Sequence, residues 1–344
     1  MVENLEKITN QKLERYQEIE KQYVELTENI EQKDIIFQKL TQLTKQIITQ
    51  EKEENPSLLV DSDTGRLDIN AYHKHYANEK YYSPKIKEEI EEILKKYKEE
   101  WYENLIENKS DLKHYVEKHI KGEKAELFIL ANLYKFLGDN FIIVRSSYYD
   151  DIDNGVDTII FDKKSGNIIC AFDETSAFSP HFEEKKKKIL KKNINGGVRL
   201  KYGLKLERTN NSTDIKGAPV QNIPIFYLPI EMEEVERELL NKIDNLELNT
   251  ISEIDELIFV YLMQMINKQV KDFTGLSELK DFNIPLDIIE KEKDFIEKIA
   301  EIYPNIFYEE SQGVSIQKGQ LSLKFYTNKN KIPLKEIDKY RIKS

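Results

Sequence analysis

The chain has one cysteine, Cys170, among its 344 residues, so no disulfide can form within it and a reducing compartment is expected. Histidine is also scarce, with five in all. His73-x-His75 is the one spacing that suits zinc, and no second pair follows it, so aromatic packing against a neighbouring helix is the expected role of that segment. No apolar run approaches the length of a membrane span, and the opening Met1-Val2-Glu3-Asn4-Leu5-Glu6 lacks the features of a signal peptide. A cytoplasmic location with no membrane partner is therefore expected. Glycine and proline are absent from the first 52 residues, which excludes tight turns there and favours long helix.

Charge of one sign is in modest excess. Charged residues make up 33% of the chain and the net charge is −11, which argues against a surface coated throughout for nucleic acid. The distribution is uneven. Lys185 to Arg208 holds eight Lys, two Arg and one Glu, a local +9 that leaves −20 for the rest. A basic strip on an acidic protein can still hold a polyanion.

Apolar residues at Tyr16, Ile19, Tyr23, Leu26, Ile30, Phe37, Leu40 and Ile47 come close to a heptad repeat. A continuous helix over this stretch would be about 75 Å long. Its stripe needs a partner, which is either a second chain, giving a homodimer through the N-terminal helix, or a later helix of the same chain. A fold-back near Gln32-Lys33-Asp34 is a further reading. Pro56 to Ser83 is a breaker-rich connection containing Asp61-Ser-Asp-Thr-Gly65. Ser83-Pro84 then opens a helix whose face carries Ile86, Ile90, Ile93, Leu94, Tyr97, Trp101 and Leu105. The expected segments are a helical arm over residues 1–110, a mixed core over 111–230, and a C-terminal helical region over 231–344 ending in a β-hairpin at Gly313–Tyr326. The fold class is α/β (α+β).

The chemistry concentrates between Gly122 and Pro229. A helix ending at Gly138 carries Glu126 beside the stripe Leu127, Leu130, Leu133, Tyr134 and Leu137. Phe141–Val144 follows as a strand. Two β-branched and aromatic runs then flank the turn Lys163-Lys-Ser-Gly166, the first opening on Asp157 and the second closing on Asp173 and Glu174. In an antiparallel pair the start of one strand lies beside the end of the next, which brings these acids together. Grouped carboxylates repel and lose solvation unless a cation lies between them. The acidic stretch Asp150-Asp151-Ile-Asp153 reads as a solvated loop. It fails the calcium-loop template, because taking Gly155 as the invariant glycine puts Ile152 at position 3 and Phe161 at position 12. A helix from Phe182 follows, on which Lys186 shares the face of Phe182 and Leu190. A strand over Val198–Leu206 and another from Ile223 complete the stretch.

Over roughly residues 115–230 this order resembles the αβββαβ core of the PD-(D/E)XK, or restriction-endonuclease-like, nuclease superfamily. Gly122-x-x-Ala125-Glu126 is similar to the opening helix of its resolvase-like members, Gly155-Val156-Asp157 to the motif Asp, and Ala171-Phe-Asp173-Glu174-Thr175 to the Glu-x-Lys segment. The resemblance implies Mg²⁺ (or Mn²⁺) held by Glu126, Asp157 and Asp173, with Asp157, Asp173 and Glu174 in the catalytic set. Where the family pattern has Lys two after the acid, this chain has Thr175 or Ser176. Some members carry that Lys on the following helix, which makes Lys186 the candidate. DNA is the implied substrate, with Lys185, Lys188, Lys192, Arg199 and Lys201 as phosphate contacts. The alternatives are a catalytically inactive nuclease-like module in a coiled-coil protein that binds nucleic acid or protein, and a purely structural helical scaffold.

Overall fold

The break at Gln32–Asp34 divides the N-terminal helix in two. The computed structural model describes residues 2–107, 112–175, 182–208, 213–230, 232–240, 246–277, 285–304 and 306–307. Helix α1 (Val2–Glu31) ends where Asp34 caps α2 (Ile35–Glu54), its carboxylate accepting from Phe37 N at 3.0 Å. The apolar stripe finds its partners inside the chain. Ile36, Leu40, Leu43, Ile47 and Ile48 of α2 are buried where α2 packs on α5 (Leu112–Leu137). Tyr16 of α1 donates to Glu103 of α4 (Pro84–Glu107) at 2.7 Å, and Tyr23 meets Trp101 edge-on at 5.0 Å. The single continuous 75 Å helix therefore does not form; Tyr16, Leu40 and Ile47 of the stripe are buried within the chain, while Ile19, Tyr23, Leu26, Ile30 and Phe37 stay half-buried.

Between α2 and α4 lies a connection that includes α3 (Ile69–His75). Here His73 is buried, not solvated. Its Nδ1 lies 2.9 Å from Tyr82 O and its Nε2 2.7 Å from the Tyr202 hydroxyl, inside a cluster of Tyr72, Tyr76, Tyr82 and Tyr202. Both ring nitrogens are thus occupied by this packing.

A four-stranded mixed sheet forms the centre, in the order β1 (Phe141–Arg145), β2 (Thr158–Asp162), β3 (Asn167–Thr175) and β6 (Ile225–Pro229). The first three strands form an antiparallel meander and β6 runs parallel to β3, pairing Ala171 with Ile225 and Glu174 with Leu228. Asp162 shapes the β2–β3 turn by accepting from Lys164 N and Ser165 N, and Gly166 adopts φ +75° there. Between β3 and β6 the chain forms α7 (Phe182–Ile194) and a separate two-stranded sheet of β4 (Val198–Arg208) and β5 (Thr213–Ile223).

Two expectations change here. The acidic stretch after β1 is a helix, α6 (Tyr148–Asn154), capped by Ser147 Oγ on Asp150 N and closed by Gly155 at φ +55°. Asp150 is fully buried and accepts from Lys201 N and Tyr202 N at 2.7 and 3.0 Å, fixing β4. β5 was not expected, because Gly217 and Pro219 weaken its pattern. Gly217 is required there: a Cβ would stand 2.5 Å from Tyr72 Cε1, and its N–H donates to the Tyr76 hydroxyl.

Helices α8 (Met232–Leu240), α9 (Glu253–Ser277) and α10 (Leu286–Ile302) follow. They share one hydrophobic core with the sheet and with α2 and α5, reaching from Ile36 to Ile306. Phe295 of α10 packs on Phe172 and Phe226. The expected C-terminal hairpin lies outside the described residues. No helix among them is long and apolar enough to cross a membrane.

The outer edge of β6 is closed by side chains. Asn193 of α7 accepts from Ile225 N and donates to Ile225 O, both at 2.9 Å. Gln269 of α9 does the same for Tyr227, at 3.0 and 2.9 Å. Two carboxamides thus stand in for the missing neighbouring strand. We expect Asn193→Ala to lower unfolding free energy by about 2 kcal/mol or more, since it orphans two buried backbone groups and one contact to Glu292. Urea titration with an unchanged slope would measure it. A loss below about 0.5 kcal/mol would show that water satisfies this edge equally well.

Candidate active site

Antiparallel pairing sets the end of β3 beside the start of β2. Asp157 N donates to Phe172 O at 2.8 Å, and the Asp157 carboxylate receives Glu174 N at 2.6 Å. Adjacent strand residues point to opposite faces. Glu174 turns towards Glu126 of α5, while Asp173 turns towards α7 and pairs with Lys185. Both are buried, as is Asp157.

Carboxylate oxygens of Glu126, Asp151 and Asp157 lie within 4.8 Å of one another. The expected trio of Glu126, Asp157 and Asp173 is corrected in one member: Asp151 takes the place of Asp173, which Lys185 engages. The cause is α6, whose first turn swings Asp151 inward. Glu174 adjoins the trio. Neither of its oxygens accepts a hydrogen bond of ordinary geometry among the described residues. The segment Ser147-x-x-Asp150 followed by Gly155 is a cap-and-stop pattern that marks this helix in the sequence.

Two arginines enter from the other side. Arg145, at the end of β1, reaches Glu123 at 2.8 Å and also pairs with Glu126. Arg66 reaches Glu126 at 2.8 Å, Asp151 at 3.0 Å and Glu123 at 3.5 Å. Both guanidiniums are more than nine-tenths buried. Nothing in the local sequence marked them, because Arg66 stands 60 positions from Glu126.

The lysine assignment also changes. Lys186 lines a cavity of about 370 Å³ with Ile189, Asn193, Gln269 and Glu292, on the α9–α10 side of its helix. The lysine at the acids is Lys185, whose Nζ pairs with Asp173 and donates to Glu174 O at 2.8 Å. Lys188 and Lys192 follow it at i+3 and i+7, on the same helix face. Lys192 donates to Asn154 O beside Gly155, where a Cβ would come 3.1 Å from its ammonium. Of the five expected phosphate contacts, Lys185 and Lys192 therefore belong to the acid site. Lys188 and Arg199 are exposed and Lys201 is half-buried.

Six carboxylates (Glu123, Glu126, Asp151, Asp157, Asp173 and Glu174) here face four cations (Arg66, Arg145, Lys185 and Lys192). The formal excess is two negative charges. Burial, then Glu126 and Glu174, pushes Asp157 well above the usual aspartate range. Burial, then Glu126, pushes Glu174 up to about 8. Burial opposes the charge of Lys185, but Asp173 and Asp157 hold it above the ordinary lysine value. Burial lowers Lys192. An all-oxygen donor set containing a buried carboxylate that no cation pairs with among the described residues, and holding two more carboxyl groups than cations, suits a hard divalent cation such as Mg²⁺ or Mn²⁺.

No family model matches the chain, and neither the curated proteins nor the solved structures contain a match to it.

The raised carboxyls fix a pH dependence. A group titrating higher in the folded than in the unfolded chain stabilises fully below its unfolded value, and that contribution is lost as pH rises through the folded value. Without metal, the protein should lose stability from about pH 5 to 8, at up to about 1.4 kcal/mol per pH unit for each proton. Glu174→Gln should flatten this slope in urea unfolding across that range. Glu292, also pushed up to about 8 by burial, adds a slope of the same sign that the substitution leaves in place. An identical slope in Glu174→Gln would contradict the Glu174 assignment.

Proposed function

We propose that the protein is a metal-dependent phosphodiesterase that hydrolyses DNA, built on a restriction-endonuclease-like αβββαβ core. The observation that carries this reading is the buried Asp157–Glu174 pair at the facing ends of β2 and β3, with Glu126 and Asp151 beside it and Lys185 alongside. The order α5-β1-β2-β3-α7-β6, with α6 inserted after β1, the β4–β5 pair inserted before β6, and β6 parallel to β3, supports it as the arrangement that the sequence resemblance implies.

Asp157, Glu174 and Asp151, with Glu126, would hold Mg²⁺ or Mn²⁺. When bound, such an ion polarises a phosphoryl oxygen and lowers the pKa of a coordinated water. The chain's own groups supply the rest. Lys185 presents a charged ammonium beside the acid pair, placed to orient a water and to offset phosphate charge. Asp173 positions that ammonium. Lys188 continues the same face outward, and Lys187, Lys191, Arg199 and Lys205 are exposed, so the strip can hold flanking phosphates without reading bases.

A second reading, an inactive module that binds nucleic acid or protein, is favoured by one observation. Arg66 and Arg145 both engage Glu126, as compensation for a lost metal would require. Supercoiled plasmid with Mg²⁺ or Mn²⁺ separates the two. Wild type should nick it, and Asp157→Ala and Glu174→Gln should each slow the reaction at least about a hundredfold. Lys185→Ala should do likewise, while Lys186→Ala should leave it within a factor of about three. Wild-type protein as inert as Asp157→Ala on single-stranded, linear and supercoiled DNA would favour the inactive module.

A further inference from the structure

The connection between α2 and α3 carries one side chain into the acid site, and the function proposed above makes no use of it. Asp61 opens a turn in which its carboxylate accepts from Asp63 N, Thr64 N and the Thr64 hydroxyl at 2.8–3.0 Å. Gly65, at φ +70°, closes that turn. The next residues lie against the end of β1: Arg145 N donates to Gly65 O at 2.9 Å and Leu67 N donates to Arg145 O at 3.1 Å. Asp61 N donates to Arg66 O at 2.8 Å, tying the strap to itself. Arg66 is thus delivered from a short segment fixed on both sides, with its guanidinium 5.3 Å from the Tyr148 ring centre.

That guanidinium bridges Glu126 and Asp151, two of the three gathered carboxylates. Asp157, the third, also contributes to the field that raises the Arg66 pKa, after burial opposes it and Glu126, Asp151 and Glu123 act. We infer that Arg66 is a built-in counter-ion occupying the cation position of this site, and that a divalent metal gains its place by displacing the guanidinium from Asp151 and Glu126. The inference rests on the proposed metal site and concerns what sets its affinity.

The division of labour between the two arginines carries the argument further. Arg145 independently neutralises Glu123 and Glu126, and its Nη1 holds Thr64 O at 3.1 Å. Asp151 has its ion pair with Arg66. Removing the Arg66 charge leaves Glu126 held and releases Asp151 as a free oxygen donor. A merely structural Arg66 would make the opposite forecast, because losing it would loosen the acids and weaken metal binding. Charge and shape separate in the variants. Arg66→Lys keeps the charge, whereas Arg66→Gln and Arg66→Ala remove it.

Calorimetry of the full chain with Mn²⁺ alone is the test, with folding checked by circular dichroism. Arg66→Gln and Arg66→Ala should bind Mn²⁺ about tenfold or more tightly than wild type, and Arg66→Lys within about threefold of it. Without metal, Arg66→Gln should melt below wild type, and saturating Mn²⁺ should raise its melting temperature by more than it raises that of wild type. If Mn²⁺ binding is lost in Asp157→Asn but is unchanged or weaker in folded Arg66→Gln, the inference falls and the site reading stands. If neither wild type nor folded Arg66→Gln binds Mn²⁺, the site reading falls and takes the inference with it.

Discussion

One hydrogen bond orders this molecule: the Glu174 amide donating to the Asp157 carboxylate across the ends of two strands. It fixes the register at which β3 finishes and commits both side chains to a buried position on the α5 face. Every other charged group nearby answers to that commitment. Glu126 approaches from α5 and Asp151 from α6, and Arg66 and Arg145 close the far side. Carboxylates so placed lose hydration that the four cations only partly return, and the shortfall holds Asp157 and Glu174 above their ordinary titration range. Such an arrangement is costly to keep in a scaffold, and it is the reason for reading the site as functional.

The helices serve the same end. α5 carries Glu123 and Glu126 on its sheet-facing side, and its opposite contacts are made by α1 and α2. α7 sets two faces against two neighbours. Lys185 and Lys192 turn to the acids, while Asn193 turns to the edge of β6. The N-terminal arm matters for the site because α2 leads directly into the strap that carries Arg66. An arm that the heptad pattern allowed to be a dimerisation rod is here two successive helices laid along α5, the second of them leading to one cation.

How much of this was legible follows from which interactions are local. The β2–β3 turn announces itself in Lys163–Gly166, and once it is placed, Asp157 and Glu174 must meet. The helix around Glu126 is equally plain, from its stripe and from Gly138. The phase of α7 was not, because Ile189 and Leu190 are adjacent and fit two rotations of the helix; choosing the wrong one selected Lys186 in place of Lys185. β5 was hidden by Gly217, whose missing side chain is demanded by two tyrosines more than a hundred positions away. Asp151 was misread because an acidic run looks solvated until its cap is recognised. Arg66 was beyond reach, since its partners lie 57 to 85 positions along the chain and nothing local betrays them.

The carboxamide closure of β6 has a consequence for how the chain can be divided. Asn193 and Gln269 lie on either side of the strand in sequence, so the sheet is completed only when α9 has arrived. A fragment ending at Ile230 would keep all the acids yet present an unsheltered row of backbone donors and acceptors at Tyr227, free to recruit the same row from another molecule. The C-terminal helices are therefore less an appendage than the cover that keeps the central sheet solitary, and synthesis must run well past the acid-bearing strands before that cover is in place.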